Sequence, residues 1–398
     1  MTAVTDRAPA RAGFTRGAVT WYAYLLLGYF TYLNTSQGNI IPFLQAELDL
    51  SYGVVSLHSS AIALGLLVIG VTGDRIITRF GRRPMLIFGA LASAVALTLL
   101  ALAPSVYATV ASCFFMGLTG AFIPAIVSAL LSDSHGNNRD IALTEANALC
   151  YVFAIAAPLL AGLVVWAGWS WRLVPLAGVA SALIVVALNW NRPIPTGARP
   201  LATSAGSATL PPAYWAYWAM LGFAVALEFS ALLWAPAYLE RVVGMPASTA
   251  AFGAGAFFVA MLLGRTVGIR LVAVYPARTI FFGLSALTFI GFAGYWLTPI
   301  PAVAIAGLFL IGLGISLLFP ITISFAMAAA GSEASNRAST RSMLAPGLAV
   351  ILNPPLLGVL ADNVGLWWAQ TMIPLFAALT IAAFLVAQRL GRYSASSS

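Results

Sequence analysis

The sequence predicts an all-α polytopic membrane protein, with twelve transmembrane helices in two pseudo-symmetric six-helix bundles. Three observations carry this. First, the 398 residues are 61% hydrophobic and 8% charged, with a mean hydropathy of +0.95. A soluble domain carries about 25% charged residues, so a water-soluble fold is excluded. Second, the basic residues number 19 and all are arginine. If the apolar segments alternate across a bilayer, 17 of these fall in the even-numbered gaps and the two tails, and only Arg172 and Arg241 fall opposite. Basic residues are retained on the cytoplasmic face, so both ends are expected in the cytosol and the chain in the inner (plasma) membrane. Third, the two halves repeat.

A helix needs about 20 apolar residues to cross the hydrocarbon core. Segments that meet this are 18–42, 52–73, 84–103, 107–131, 141–166, 172–190, 213–239, 248–271, 277–297, 302–329, 338–361 and 366–388. Backbone amides cannot stay unpaired in lipid, which makes these segments helices. The eleventh is interrupted by Pro346, Pro354 and Pro355; such interruptions are tolerated where neighbouring helices cover the freed carbonyls.

The longest inner connection, 191–212, is rich in Pro, Ala, Ser and Thr and follows the sixth segment. It divides the chain into a tail (1–17), a first bundle (18–190), a linker (191–212), a second bundle (213–388) and a tail (389–398). Gly70 and Gly264, and the pairs Phe88-Gly89 and Phe282-Gly283, are 194 apart; Gly117 and Gly312 are 195 apart. Gly162 and Gly358 are 196 apart, while Pro158 and Pro355, and Trp171 and Trp368, are 197 apart. An offset this constant, close to half the length, marks an internal duplication. Two parallel six-helix repeats place a site at their interface near the midplane, and rocking of the halves exposes it to each side in turn.

Several function classes are excluded. The net charge of +8 is dispersed among short loops, which retention of basic residues explains without nucleic acid; the same arginines can hold anionic lipid headgroups. Cys113 and Cys150 sit inside apolar segments, so neither a disulfide framework nor a metal site is expected. No nucleophile–base pair and no nucleotide-binding loop is present, so neither catalysis nor a cofactor is expected.

Glu228 is the most informative residue. It lies near the middle of an apolar segment, where an ionised carboxylate is costly and acids usually face a cavity on a transport path. Its neutral form is favoured there, so proton exchange near physiological pH becomes available. Glu228 is therefore the expected proton carrier; a helix tie through a protonated Glu228 is the plainer reading. Thr31, Asn34 and Gln37, with Tyr29 and Tyr32 nearby, share a face of the first segment at spacing three. Amides donate and accept, which suits hydroxylated or zwitterionic solutes, or else joins helices. Trp234 and Tyr238, at i and i+4, offer a ring platform or an interfacial belt. Asn353, beside Pro354-Pro355, either lines a cavity or caps freed carbonyls. Glu145, close in sequence to Asp133, Arg139 and Asp140, is read as part of an inner-gate charge network; Arg265, two turns from the inner end of the eighth span, could snorkel to the headgroups or join that gate. Lone His58 is read as a packing residue.

After the second segment the chain reads Gly70-Val-Thr-Gly73-Asp74-Arg75-Ile-Ile-Thr-Arg79-Phe-Gly81-Arg82-Arg83-Pro84. This resembles the signature loop of the major facilitator superfamily, a glycine followed by an Asp-Arg pair and then Gly-Arg-Arg, with extra residues before Gly81. The resemblance implies a cytoplasmic latch in which Asp74 accepts from helix N-terminal amides and arginines, with Gly73, Arg75, Gly81, Arg82 and Arg83 around it. It also implies a central cavity lined by the first, fourth, seventh and tenth spans, and a monomer. Glu228-Phe-Ser230 through Trp234-Ala-Pro-Ala-Tyr238-Leu239, with Phe257-Phe258 and Gly264-Arg265-Thr-Val-Gly268, is similar to the fucose-permease-like branch, which contains proton-coupled sugar symporters. That pattern carries an acid in the first span, and here the first span has none.

The expectation is a secondary active transporter whose partners are a small-molecule substrate, protons and the lipid bilayer. Proton symport of a polar, sugar-like solute is favoured. Proton-antiport efflux of an amphipathic drug or metabolite stays open, and a non-transporting membrane receptor is the alternative of another class.

Overall fold

The computed structural model describes residues 14–195, 209–331 and 334–396. The tail before residue 14 and most of the 191–212 linker lie outside the described residues. Helix is the only regular secondary structure among the described residues. Among the described residues ten helices are long and apolar enough to cross a membrane: α2 (Tyr52–Phe80), α3 (Arg82–Leu102), α4 (Val106–His135), α5 (Arg139–Trp166), α7 (Pro212–Leu233), α8 (Ala247–Val274), α9 (Ala277–Trp296), α10 (Pro301–Ala330), α11 (Arg337–Val364) and α12 (Leu366–Gly391). The first and sixth expected places are taken by α1 (Ala18–Leu48) and α6 (Leu173–Leu188). Helix α1 carries Tyr, Thr, Asn, Ser and Gln along its middle, and α6 is a short apolar helix of 16 residues, about 24 Å long.

Two apolar cores organise the chain. One is built almost wholly from residues before 190, the other from residues after 213. The duplication is visible in matched close approaches. A Cβ on Gly117 would overlap the Ile62 carbonyl, and one on Gly312 would stand 2.7 Å from the Phe257 carbonyl. These equivalent glycines let α4 pack on α2 and α10 pack on α8. Gly162 and Gly358 do the same between the halves. A Cβ on Gly162 would stand 2.7 Å from the Phe252 ring of α8, and one on Gly358 would stand 2.5 Å from the Tyr52 carbonyl of α2. The halves therefore meet along two related seams, α5–α8 and α2–α11.

Three segments differ from expectation. Helix α2 continues to Phe80, so Gly73, Asp74 and Arg75 lie on helix and not in a loop. Nothing from Gly73 to Phe80 breaks a helix, and the chain turns only at Gly81, whose φ of 89° suits glycine. The extra residues of the signature segment are thus helical turns. The seventh span ends at Leu233, and a separate seven-residue helix, Ala235–Arg241, follows. Trp234 is the joint, and Pro236 starts the new helix where its missing N–H is harmless. The eleventh span is not interrupted at Pro354 and Pro355, through which helix runs from Leu344 to Val364, but it breaks at Met343, three residues before Pro346. Pro355 cannot donate to the carbonyl of Ile351, four residues back. That carbonyl instead accepts from Ser60 Oγ of α2 at 2.7 Å.

The seam geometry yields a prediction. Gly358→Ala places its methyl against backbone of α2 and should cost about 1–3 kcal/mol of stability, read as a lowered unfolding midpoint. Gly283→Ala, with nothing within 4 Å of the new Cβ, should leave the midpoint unchanged or raised. Equal midpoints for the two variants would contradict the seam.

Candidate functional site

The two faces of the bundle differ in what crosses between halves. On the arginine-poor face, the first two amides of α2, Tyr52 N–H and Gly53 N–H, both donate to the Asp362 carboxylate of α11, each at 2.7 Å. A helix N-terminus leaves these amides without intrahelical partners and favours negative charge, so Asp362 caps α2 from the other half. Arg241 Nη1 donates to Gln45 Oε1 at 2.7 Å and to the Tyr52 hydroxyl at 2.9 Å. The Tyr52 ring lies edge-on to Trp234, with centroids 5.2 Å apart. These contacts close the interface on that face. Arg172, the other arginine there, donates to Glu47 and stacks over Trp171, inside the first half. The hydrogen bonds to Glu47 hold the Arg172 guanidinium above its usual range.

On the arginine-rich face the described ion pairs run within the first half. Arg16 Nε and Nη2 donate to Glu145 at 2.8 and 2.5 Å, and Tyr24 adds a hydroxyl at 3.1 Å. The Glu145 hydrogen bond raises the Arg16 pKa. Arg82 donates to Asp133 at 2.6 Å, and Arg83 donates to the Trp190 carbonyl. Arg139 meets Asp140 at 3.7 Å. Asp74 and Arg75 are exposed, and among the described residues the Asp74 carboxylate has no hydrogen-bond or ion-pair partner.

Midway between the faces lies Glu228 of α7, partly exposed, with no hydrogen bond or ion pair among the described residues. Arg265 of α8 and Tyr151 of α5 are its electrostatic neighbours: Glu228 and Arg265 are within Coulombic reach, and Tyr151 is within reach of both. The Arg265 guanidinium sits over the Tyr151 ring, 4.9 Å from its centroid, which is a contact between the halves. Arg265 Nε is buried without a protein partner. A guanidinium inside a span costs up to about 2.5–3.5 kcal/mol on an insertion scale, so a buried Nε without a hydrogen-bond partner calls for explanation.

The expected binding residues separate into three groups. Thr31 and Asn34 are half-buried and bond back to their own helix, Thr31 to the Leu27 carbonyl and Asn34 to the Phe30 carbonyl at 2.8 Å. Asn34 Oδ1 remains available on that face. Gln37 and Trp234 are buried, and their Nε2 and Nε1 donors lack protein partners. Tyr29 and Asn353 point elsewhere. Tyr29 is fully buried against α3, its hydroxyl 2.9 Å from Ser93 Oγ, because it stands about 200° around the helix from Thr31. Asn353 Nδ2 donates to the Ala226 carbonyl at 3.0 Å and to Ser230 Oγ at 3.1 Å, tying α11 to α7. His58 is wholly buried, with both ring nitrogens partnered by Val55 and Thr109, as a packing residue.

Sequence reasoning missed Asp362, Gln45, Ser60 and Tyr151. One signal was available: the arginine-poor face holds just two arginines, so each charge there warrants a search for its partner. The Tyr151 contact had no sequence signal, because it depends on the packing of α5 on α8.

The Asp362 cap gives a second prediction. Asp362→Asn keeps the shape and removes the charge. It should speed labelling of a Gln37→Cys reporter by an impermeant maleimide applied from the arginine-poor face. An unchanged labelling rate would mean that the cap does not hold that face shut.

Comparison with known proteins places the chain. The Major Facilitator Superfamily sequence profile matches residues 20–352. No curated protein sequence matches the chain. Among solved structures it is similar to a bacterial homologue of the human lysosomal transporter Spinster, inward-facing and occupied, with TM-score 0.75 and 16% identity over 96% of this chain and 98% of that one. A D-xylose–proton symporter gives TM-score 0.73 and 16% identity over 94% and 96%. A nucleoside transporter, in a point-mutant form, gives 0.75 and 13% over 94% and 99%.

Proposed function

The chain belongs to the Major Facilitator Superfamily, and from that premise we propose that it is a proton-coupled symporter of a small polar solute, working by alternating access. The observation that carries this reading is the Glu228 carboxylate, half-way along the path between the halves and without a hydrogen-bond partner among the described residues. A structural acid at such depth would be tied into a hydrogen-bond network. An untied one is free to gain and lose a proton as access changes sides.

In this reading the arginine-rich face is cytoplasmic, both termini lie there, and the membrane is the inner (plasma) membrane. The protein works as a monomer. The structure then corresponds to the state sealed toward the outside by Asp362, Arg241 and the Tyr52–Trp234 contact. The opposite state closes the cytoplasmic ends. Asp74 is the latch for that state, with Gly73, Gly81, Arg75, Arg82 and Arg83 shaping its surroundings. Glu145 fixes the gate end of α5 through Arg16 and Tyr24. Solute hydroxyls are held by Thr31, Asn34, Gln37 and Trp234. Proton binding at Glu228 removes its charge and lets the loaded halves close over the solute. Release of the proton on the other side restores the charge and resets the cycle.

A transport assay tests this. In liposomes with an imposed inward-directed proton gradient, the protein should accumulate its solute above equilibrium. Glu228→Gln should abolish accumulation while retaining solute exchange without a gradient. Gradient-driven accumulation by Glu228→Gln would remove Glu228 from coupling. Outward pumping of an amphipathic cation by the native protein would replace symport with antiport.

A further inference from the structure

Arg265 is the most consequential side chain that the cycle above leaves unused. It lies at the contact between α5 and α8, on the route that the reading above assigns to the solute. Three features define its chemistry. The guanidinium stays charged, because arginine does not lose its proton in proteins. One face is covered by the Tyr151 ring at 4.9 Å, which leaves the N–H edges as its binding surface. Nε is buried without a protein partner, and among the described residues no carboxylate forms an ion pair with it. Glu228 is near enough to be felt but does not close the pair.

We propose that Arg265 is the docking group for an acidic substituent of the solute, so that the transported class is small hydroxylated organic acids carried as anions. A planar guanidinium seated over a ring still presents paired N–H groups at its edges, the arrangement that binds a carboxylate bidentately. Charge then links the two sites. Arg265 of α8, Tyr151 and Cys150 of α5 and Glu228 itself are the charged or titratable groups here; α11 offers only the neutral Asn353 amide. One positive charge faces two anions when the acid is bound and Glu228 is ionised. A proton on Glu228 removes the second anion. The acid and one proton therefore travel together, and a monoanion with a proton carries no net charge across.

The inference rests on the symporter reading, and the test separates the two. Thermal stabilisation of the purified full chain is measured with D-gluconate, D-glucuronate and L-lactate, and with D-glucose and propane-1,2-diol as uncharged counterparts, at about pH 5.5 and 8. At least one acid should raise the unfolding midpoint in a saturable manner, while its uncharged counterpart does not. Its affinity should fall at least about tenfold in Arg265→Gln, with Arg265→Lys between the two. Glu228→Gln should still bind the acid and lose the pH dependence. Uncharged counterparts binding as well as the acids, acid affinity unchanged in Arg265→Gln, or no stabilisation by any of the acids would overturn the assignment. A neutral sugar whose binding depends on pH through Glu228 would sink the anion assignment alone. Identical behaviour of Glu228→Gln and the native protein at both pH values would sink the symporter reading beneath it.

Discussion

The two halves of this protein touch along seams that glycines keep open, against backbone at one and against an aromatic ring at the other, and the polar interior depends on that approach. Gly358 lies so close to the Tyr52 carbonyl that no side chain fits between α11 and α2, and Gly162 gives the Phe252 ring its place between α5 and α8. Helices held this closely fix what lies between them. The carbonyl freed by Pro355 finds Ser60 across the seam. Arg265 finds the ring of Tyr151. Glu228 lies within Coulombic reach of Arg265 and of Tyr151 from the other half. Interfaces of this kind are packed in one arrangement or another and do not deform continuously, which is why small changes of charge can select between whole-bundle states.

Helices α2 and α11 run in opposite directions along one seam, and each carries an aspartate toward its C-terminal end. On the arginine-poor face Asp362 of α11 caps the first amides of α2. On the arginine-rich face Asp74 of α2 is exposed and unpaired among the described residues. The proposed cycle makes them alternative caps, one formed while the other is broken. The energy of each is modest because both acids are exposed and screened. Modest and opposed is what an alternating device needs, since a deep minimum on either side would trap it.

The fold was legible in the sequence because its causes are local. Apolar length sets most of the helices, and the offset between Gly117 and Gly312 or between Gly162 and Gly358 marks the same packing made twice. Glu228 was legible for a similar reason, since a carboxylate inside an apolar run stands out without any partner. Segment ends were less legible. Helix α2 overran its apolar stretch to Phe80 because nothing stops a helix before Gly81, and Trp234 became a joint because Pro236 begins a new helix. Side-chain direction was legible only in part. Spacing brought Thr31, Asn34 and Gln37 to one face, but Tyr29 turned to Ser93 and Asn353 turned to Ser230 and Ala226. Arg265 was read as a partner for charges near the helix end, whereas in the structure its neighbours are Tyr151 and Glu228. Contacts between distant segments leave no trace in a single sequence unless a charge or a proline demands them.

The account turns on the protonation of Glu228 selecting between two arrangements of the halves. The direct measurement is the distance distribution between spin labels at Thr78→Cys on α2 and Met343→Cys on α11, both exposed positions toward the arginine-rich face, taken between about pH 5.5 and 8. The account predicts two populations whose ratio changes with pH in the native background and no longer responds to pH in Glu228→Gln. A single distribution at every pH, or the same pH response with and without Glu228, would contradict it.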